Sequence, residues 1–431
     1  MLNADAQVAL KQTLAWSRSQ GYAGHSKHDA LNSPFLNGLT LNQRFLRLLL
    51  IQAVMRAPCN PRTWLGVPKL RNPKGIGLFA HAWLNLADRG DLLSENPWER
   101  EYCIAEAENL LGWLVAHASP WAPASAELLD AFEVKPGHAP SEPRLEGMGW
   151  GYHYPWQDVG FFQPRHYPNR VVTSWIGMVF LRAFQVTGEE KYRLAARELT
   201  RFLLENPNRL HETDEQLCLS YVPSARVTWA VMDVSVLVSA VASGLLAVDP
   251  ECGVDAETVK RLLYFVVDKQ TDYGAWYYTH PAKDSHITHD NYHTGIILDA
   301  IADTMVNLQD FEALETYRQG LAYYRESLFT GDGAPKWMND KTHPHDIHGA
   351  AAGILAFRRA AVFWRGQAPK PDAAAAEEAT AMAARITDWT LQNLYSGQGW
   401  FYYQKNACFT KKFCLMRWGN AWMCRALTAE L

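Results

Sequence analysis

The chemistry-bearing residues of this chain gather where polar clusters run into apolar helices. In the stretch Thr288–Ala300, THDNYHTGIILDA, the residues His289, Asp290, Asn291 and His293 lead into one such helix. His343, His345, Asp346 and His348 do the same at IHGAAAGILAF, as do Thr228, Trp229 and Asp233 earlier and Arg417, Trp418 and Asn420 later. Helix starts carry free N–H groups and positive partial charge, which suits anionic substrates and developing oxyanions. A cationic imidazole is disfavoured there, so His293 and His348 read as neutral acid/base groups or hydroxyl-binding donors.

Two kinds of reaction fit these residues. Hydrolysis of a sugar needs two carboxyl groups across the bond, and Asp290 can pair with Asp158, Asp233 or Asp346. Elimination or epimerisation needs a base for a C–H next to a carboxylate or carbonyl and a donor for the enolate, which His293, His348, Tyr152 and Asn291 can supply. On the plainer alternative Asp290 and Asp346 are helix N-caps. A metal site at His343, His345 and His348 is a further alternative. No cysteine stands at a matching spacing, and the expectation is neither metal nor cofactor.

Aromatic loops accompany these helix starts. The longest, GMGWGYHYPWQDVGFFQPRHYPNR at 147–170, alternates Trp150, Tyr152, Tyr154 and Trp156 with His153, Gln157 and Asp158, as a sugar-binding surface does. Arg165 and Arg170 beside it suit a carboxylate, or are surface arginines. Shorter counterparts are YGAWYY, which holds Trp276 and Tyr278, then GAPKWM and QGWFYY.

Helix pairs must position these loops. Apolar periodicity predicts a surface helix over 5–19, a more buried one over 42–56, and pairs 75–87 with 99–118, 171–186 with 189–205, 227–248 with 256–270, 292–308 with 311–327 and 347–363 with 373–394. A last helix, 417–431, has no following partner, and the first helix supplies one. Starts of the first helices from Val171 onward recur every 55 to 70 residues, the signature of a helical repeat. First helices such as VSVLVSAVASGLLAV are apolar nearly all round, while second helices such as EEKYRLAARELTRFLL are charged on one face. The expected fold is all-α, a single (α/α)6-type toroid over 1–431 with a long aromatic loop insertion around 119–170.

Composition narrows the function. The chain has 431 residues, a formal charge of -4 and 17 Trp, 18 Tyr and 17 Phe, so nucleic acid is an improbable partner and a ring-binding cleft a good one. The run Phe45–Val54 is far short of the roughly 20 residues of a membrane span. Seven scattered cysteines without a CxxC pair, and a first helix unlike a signal peptide, point to the cytoplasm. GxGxxG, GxxxxGK and GxSxG are absent. The oligomeric state is open.

The segments GYAGHSKHDALNSP (21–34), LGVPKLRNPKG (65–75), GWGYHYPWQ (149–157), HDNYHTGIILDAI (289–301), DIHGAAAGI (346–354) and LMRWGNAWMCRAL (415–427) together resemble an uncharacterised α/α-toroid family associated with surface-polysaccharide gene clusters. The resemblance implies a glycan context rather than a reaction. More distantly the ring looks like unsaturated-uronyl hydrolases, α/α polysaccharide lyases and N-acylglucosamine 2-epimerases, and no catalytic residue carries over from them. Lanthionine cyclases share the ring, but Ile347 stands where their cysteine would.

The sequence thus points to a carbohydrate-active enzyme with a glycan or sugar substrate, small or lipid-linked. A non-catalytic glycan-binding or assembly protein and a terpenoid or prenyl-transfer toroid are the alternatives. The DxDD run of the terpenoid cyclases is absent.

Overall fold

Two asparagines open the pattern that the chain repeats. Asn72 accepts from the Gly75 N–H at 3.4 Å and Asn169 from the Val172 N–H at 2.9 Å, each capping a long apolar helix. Each such cap is worth about 1 kcal/mol and fixes where the helix begins. The computed structural model describes residues 2–158 and 161–429.

Six inner helices follow one another around an axis among the described residues: Pro73–Asp88, Arg170–Thr187, Met232–Val248, Asn291–Leu308, Ile347–Val362 and Trp422–Leu427. A π-helical turn, Arg417–Ala421, leads into the last. Outer helices Arg100–Ala116, Glu190–Glu205, Ala256–Asp268, Leu314–Ser327, Ala373–Leu394 and Ala4–Ser19 return the chain. Each inner helix packs against the next, and the last packs against the first, so the array is a closed (α/α)6 toroid.

Sequence pattern explains the two layers. Met232–Val248 is buried without a break from Met232 to Ser243, because it is covered on all sides. In Glu190–Glu205 the buried positions Tyr192, Ala195, Ala196, Leu199, Phe202 and Leu203 form one stripe, and the charged face meets solvent. Closure depends on small and polar contacts. A Cβ on Gly75 would come within 3.1 Å of the Arg417 side chain, so glycine there lets the first and last inner helices approach. The Asn420 amide donates to Ser17 Oγ at 3.1 Å and so joins the last inner helix to the first outer one.

Inner helices run parallel, so their starts share one end of the ring. Short strand pairs tie the loops together there: Ala23–Gly24 with Leu70–Arg71, Trp156–Gln157 with Phe162–Gln163, Ala230–Val231 with Thr279–His280, and His345–Asp346 with Gln404–Lys405.

Several boundaries differ from the sequence reading. The third inner helix begins at Met232 rather than 227, because Ala230–Val231 is drawn into a strand pair with Thr279–His280. The last is a π-helical turn and a short helix rather than one helix over 417–431, and residues 430–431 lie outside the described ones. Residues 159–160 of the aromatic loop also lie outside them. The helix read as buried, now Arg44–Arg56, buries only Ile51 and Val54. It forms an outlying hairpin with Pro34–Leu39, beside a small separate apolar cluster that includes Ala30, Leu31 and Val67. No helix among the described residues is long and apolar enough to cross a membrane.

Candidate active site at the helix-start end of the ring

Asp290 stands at the N-cap position of its helix without capping it. Its Oδ2 instead lies 2.7 Å from His293 Nδ1, one turn on along the same face. A carboxylate on Nδ1 fixes the tautomer and leaves Nε2 as the ring's free nitrogen. The His293 side chain keeps 14% of its surface accessible, while Asp290 keeps 3%. Rings enclose the pair, with Tyr292 at 4.0 Å and Tyr278 at 4.5 Å from the imidazole centroid.

Asp233 reaches the same place from the preceding inner helix. It is buried, its Oδ1 has no hydrogen-bond partner among the described residues, and burial pushes its pKa up, opposed by the nearby His293 and Lys74 charges. An upward-shifted carboxyl so placed can exchange a proton beside an imidazole base. Lys74, at the start of the first inner helix, lies 5.0 Å from the Trp422 ring and 5.2 Å from the Trp175 ring. Burial, with Arg417 adding, drives its amine well below the usual lysine range.

The other half of the site is built around Asp346, which does cap its helix. It accepts from the His348 N–H at 2.8 Å, Trp418 Nε1 at 2.7 Å and Gln404 Nε2 at 2.7 Å. Three donors hold this carboxylate in place. His348 is different: it is stacked on Tyr292 at 4.6 Å, lies 4.3 Å from Trp418, and neither ring nitrogen has a hydrogen-bond partner among the described residues. Burial holds it neutral, far below the ordinary histidine pKa. Arg417 sits over Trp418 at 4.9 Å and Tyr152 at 5.7 Å. Tyr152 stacks on Tyr154 at 5.1 Å, bonds Tyr221 through the hydroxyls at 2.9 Å, and meets Trp156 edge-on.

Lys27 was missed by the sequence reading. Its ammonium is 3.9 Å from the Trp418 ring and 5.2 Å from that of Trp337. Burial lowers its pKa to about 8, with Asp346 and Asp290 opposing the fall. Lys27, Lys74 and Tyr221 come from loops or helix starts whose lone lysine or tyrosine carries no local signal, and Tyr292 was passed over inside the stretch HDNYHTG. For the two lysines the only clue was their place inside the motifs GHSKHD and RNPKG.

Other candidates make their hydrogen bonds within the scaffold. Trp150 is buried, donates to Leu114 O at 2.8 Å and stacks near Phe180, and Trp276 donates to Val266 O at 2.8 Å. Arg170 is buried and spends its guanidinium on the carbonyls of Leu203, Ser220, Asn206 and Pro207. Asn291 donates to Leu328 O and accepts from the Tyr324 hydroxyl. His289 bonds Trp276 O and the Tyr273 hydroxyl, and His345 bonds Pro335 O against Trp389. His345 and His348 therefore point to different neighbours, and among the described residues no three His, Cys, Asp or Glu side chains are grouped to hold a metal ion.

Gln157 locks its own loop by donating to Asp158 O and Phe161 O, and Trp229 lies half-buried 6.4 Å from Phe161. Asp158 is close enough to Tyr278 to influence its hydroxyl. His153 and Arg165 flank a neighbouring cavity of about 460 Å³ that also presents Lys69, Arg71, His117 and His166. No carboxylate is among its lining residues. Burial, reinforced by neighbouring cationic groups, lowers His153 to about 3 and His166 to about 4.

No protein-family model matches the chain, and no curated protein matches it by sequence. Solved structures do match its fold. Unsaturated glucuronyl hydrolase from a Bacillus species aligns over 99% of this chain and 96% of its own, at 11% identity and a TM-score of 0.57. The GH76 α-mannanase of Bacteroides thetaiotaomicron aligns over 84% and 87%, at 10% identity and 0.58. Cellobiose 2-epimerase from Bacillus thermoamylovorans aligns over 83% and 87%, at 9% identity and 0.56. The chain thus shares the α/α-toroid fold of glycan-processing enzymes.

Proposed function

We propose that the protein is a carbohydrate-active enzyme that moves a proton on a small or lipid-linked sugar bearing a carboxylate or carbonyl, by epimerisation or elimination. The observation that carries this is the Asp290–His293 pair, a base oriented by a carboxylate and walled by Tyr278 and Tyr292. In this reading His293 Nε2 takes the proton from the carbon next to the carbonyl group. Asp233, whose carboxyl burial shifts towards the protonated form, gives a proton to that carbon from the other face in epimerisation, or to the oxygen that departs as the neighbouring C–O bond breaks in elimination. Lys27 and Arg417 attract the carboxylate, and the stacked Tyr152 and Tyr154 bind the apolar face of the ring.

Hydrolysis is less well supported. It needs two carboxyl groups across the bond, and although Asp233 could serve as one, Asp290 is engaged by His293 and Asp346 by three donors. The prenyl-transfer alternative fits poorly with so many buried polar groups among the rings.

The test is proton NMR in D2O with a panel of uronic-acid and N-acetylhexosamine sugars, comparing wild type with His293→Ala. Loss of a ring-proton signal by exchange, or a new vinyl signal, absent in the variant, is the expected result. New reducing ends in place of both would overturn the proposal in favour of hydrolysis. Line broadening without any product would make the protein a glycan binder.

A further inference from the structure

Exposed apolar side chains are ordinary singly and unusual in clusters. Of the ten large apolar side chains exposed among the described residues, six lie between Phe35 and Trp64. Phe35 and Leu39 stand one turn apart on Pro34–Leu39, Phe45 and Leu49 one turn apart on Arg44–Arg56, with Leu41 in the link and Trp64 in the loop beyond. Four-residue spacing puts each pair on one helix face. Exposure runs from 49% at Leu39 to 81% at Trp64.

The charge of this segment is one-sided. No Asp or Glu occurs between Asp29 and Asp88, while Arg44, Arg56 and Lys69 are exposed and Arg47 half-buried. Arg47 also lies 4.1 Å from the ring of Phe162, another exposed aromatic. Apolar side chains bordered by arginines, with no carboxylate among them, match an anionic bilayer surface, where guanidinium groups meet lipid phosphates and the apolar groups enter the acyl boundary. A twofold contact with a second copy would instead set these arginines against their own kind with no acid in the segment to pair them.

The hairpin also borders the site. Trp156 packs on its apolar cluster, and Arg47 donates to Gln157 at 3.4 Å. From Trp156 the ring contacts run to Tyr152 and then to Arg417.

We infer that the hairpin 34–56, together with Trp64, docks the protein on a bilayer surface containing anionic phospholipid. Docking there sets the aromatic loop beside the headgroups and presents the site to a lipid-linked glycan, a consequence that rests on the enzymatic reading above.

Flotation of the purified full chain with phosphatidylcholine vesicles, with and without phosphatidylglycerol, tests the docking. Wild type is expected to float with the phosphatidylglycerol vesicles and to be released by high salt. Phe45→Glu/Leu49→Glu and Arg44→Glu/Arg56→Glu, all at exposed positions, are expected to lower partitioning roughly tenfold or more. Wild type that stays unbound, or either variant floating as well as wild type, overturns the inference. So does a wild-type dimer by light scattering that the Phe45→Glu/Leu49→Glu variant converts to a monomer without vesicle binding, which assigns the face to a second copy. Flotation requires no turnover, so its failure leaves the acid/base reading intact. Absence of sugar chemistry in solution, in turn, leaves the docking intact.

Discussion

His293 Nδ1 and Asp290 Oδ2 are 2.7 Å apart, and that contact takes the carboxylate away from the helix N–H groups it would otherwise cap. Asp346, in the same position one repeat later, caps its helix at 2.8 Å. Two aspartates that look alike in sequence therefore have different work, and the histidine three residues on decides which.

If His293 is the base, His293→Ala lowers the rate of proton exchange into substrate by about a hundred- to ten-thousandfold. Asp290→Asn leaves the ring in place but loses its orientation, and should cost about a hundredfold in kcat with little change in KM. Steady-state kinetics on the substrate found by NMR checks both, and a wild-type rate in His293→Ala would remove the residue from the chemistry.

Lys27 titrates at about 8, because burial disfavours its charge more than Asp346 and Asp290 favour it. It is a cation below that value and neutral above it. Affinity for a carboxylate-bearing sugar should therefore fall as pH rises through about 8, and Lys27→Met should bind about tenfold more weakly below that pH and lose the dependence. Calorimetric titration at several pH values reads this directly.

At the opposite end of the ring Asp299 is buried and its pKa is raised to about 7, mainly by desolvation and then by Asp303, with Arg425 and Arg359 opposing. The folded state holds this proton after the unfolded chain has lost it. Its contribution is thus fully present below the ordinary Asp value of 3.8 and is lost as pH rises to about 7. Asp299→Asn should flatten that slope and be the more stable protein near neutrality, by on the order of a few kcal/mol. Urea unfolding across the range measures it.

Asp346→Ala leaves Trp418 Nε1 and Gln404 Nε2 buried without an acceptor. A loss of about 3 kcal/mol in unfolding free energy is expected. Asp346→Asn should recover only part of it, since one amide oxygen replaces two carboxylate oxygens and its NH2 meets other donors. Thermal unfolding followed by near-ultraviolet circular dichroism, which reports the Trp418 environment, distinguishes the two.

Much of the ring was legible from the chain, because a helix's partner layer writes itself into its periodicity. Met232–Val248 reads as apolar all round since it is covered all round, and Glu190–Glu205 reads as striped since one face meets water. The pairing of the unpartnered first and last helices followed from counting, and Asn420 bonded to Ser17 is its physical form. The hairpin was misread for the same reason: an apolar pattern reports that a helix avoids water, not what it uses to do so, and Arg44–Arg56 covers Ile51 and Val54 while leaving Phe45 and Leu49 exposed.

The sequence by itself determined the helical repeat, the end of the ring where polar residues collect, and the Asp290–His293 spacing, since these depend on residue type and on separations within a turn. Only the tertiary structure decided which groups are spent. Arg170 looked like a carboxylate binder and is consumed by four backbone carbonyls, Asn291 by a carbonyl and a tyrosine, and Trp150 by the core. Lys27 looked like a loop residue and lies against Trp418, a contact between residues from opposite ends of the sequence. Hydrogen-bond saturation and desolvation are set by distant neighbours, and no local pattern records them.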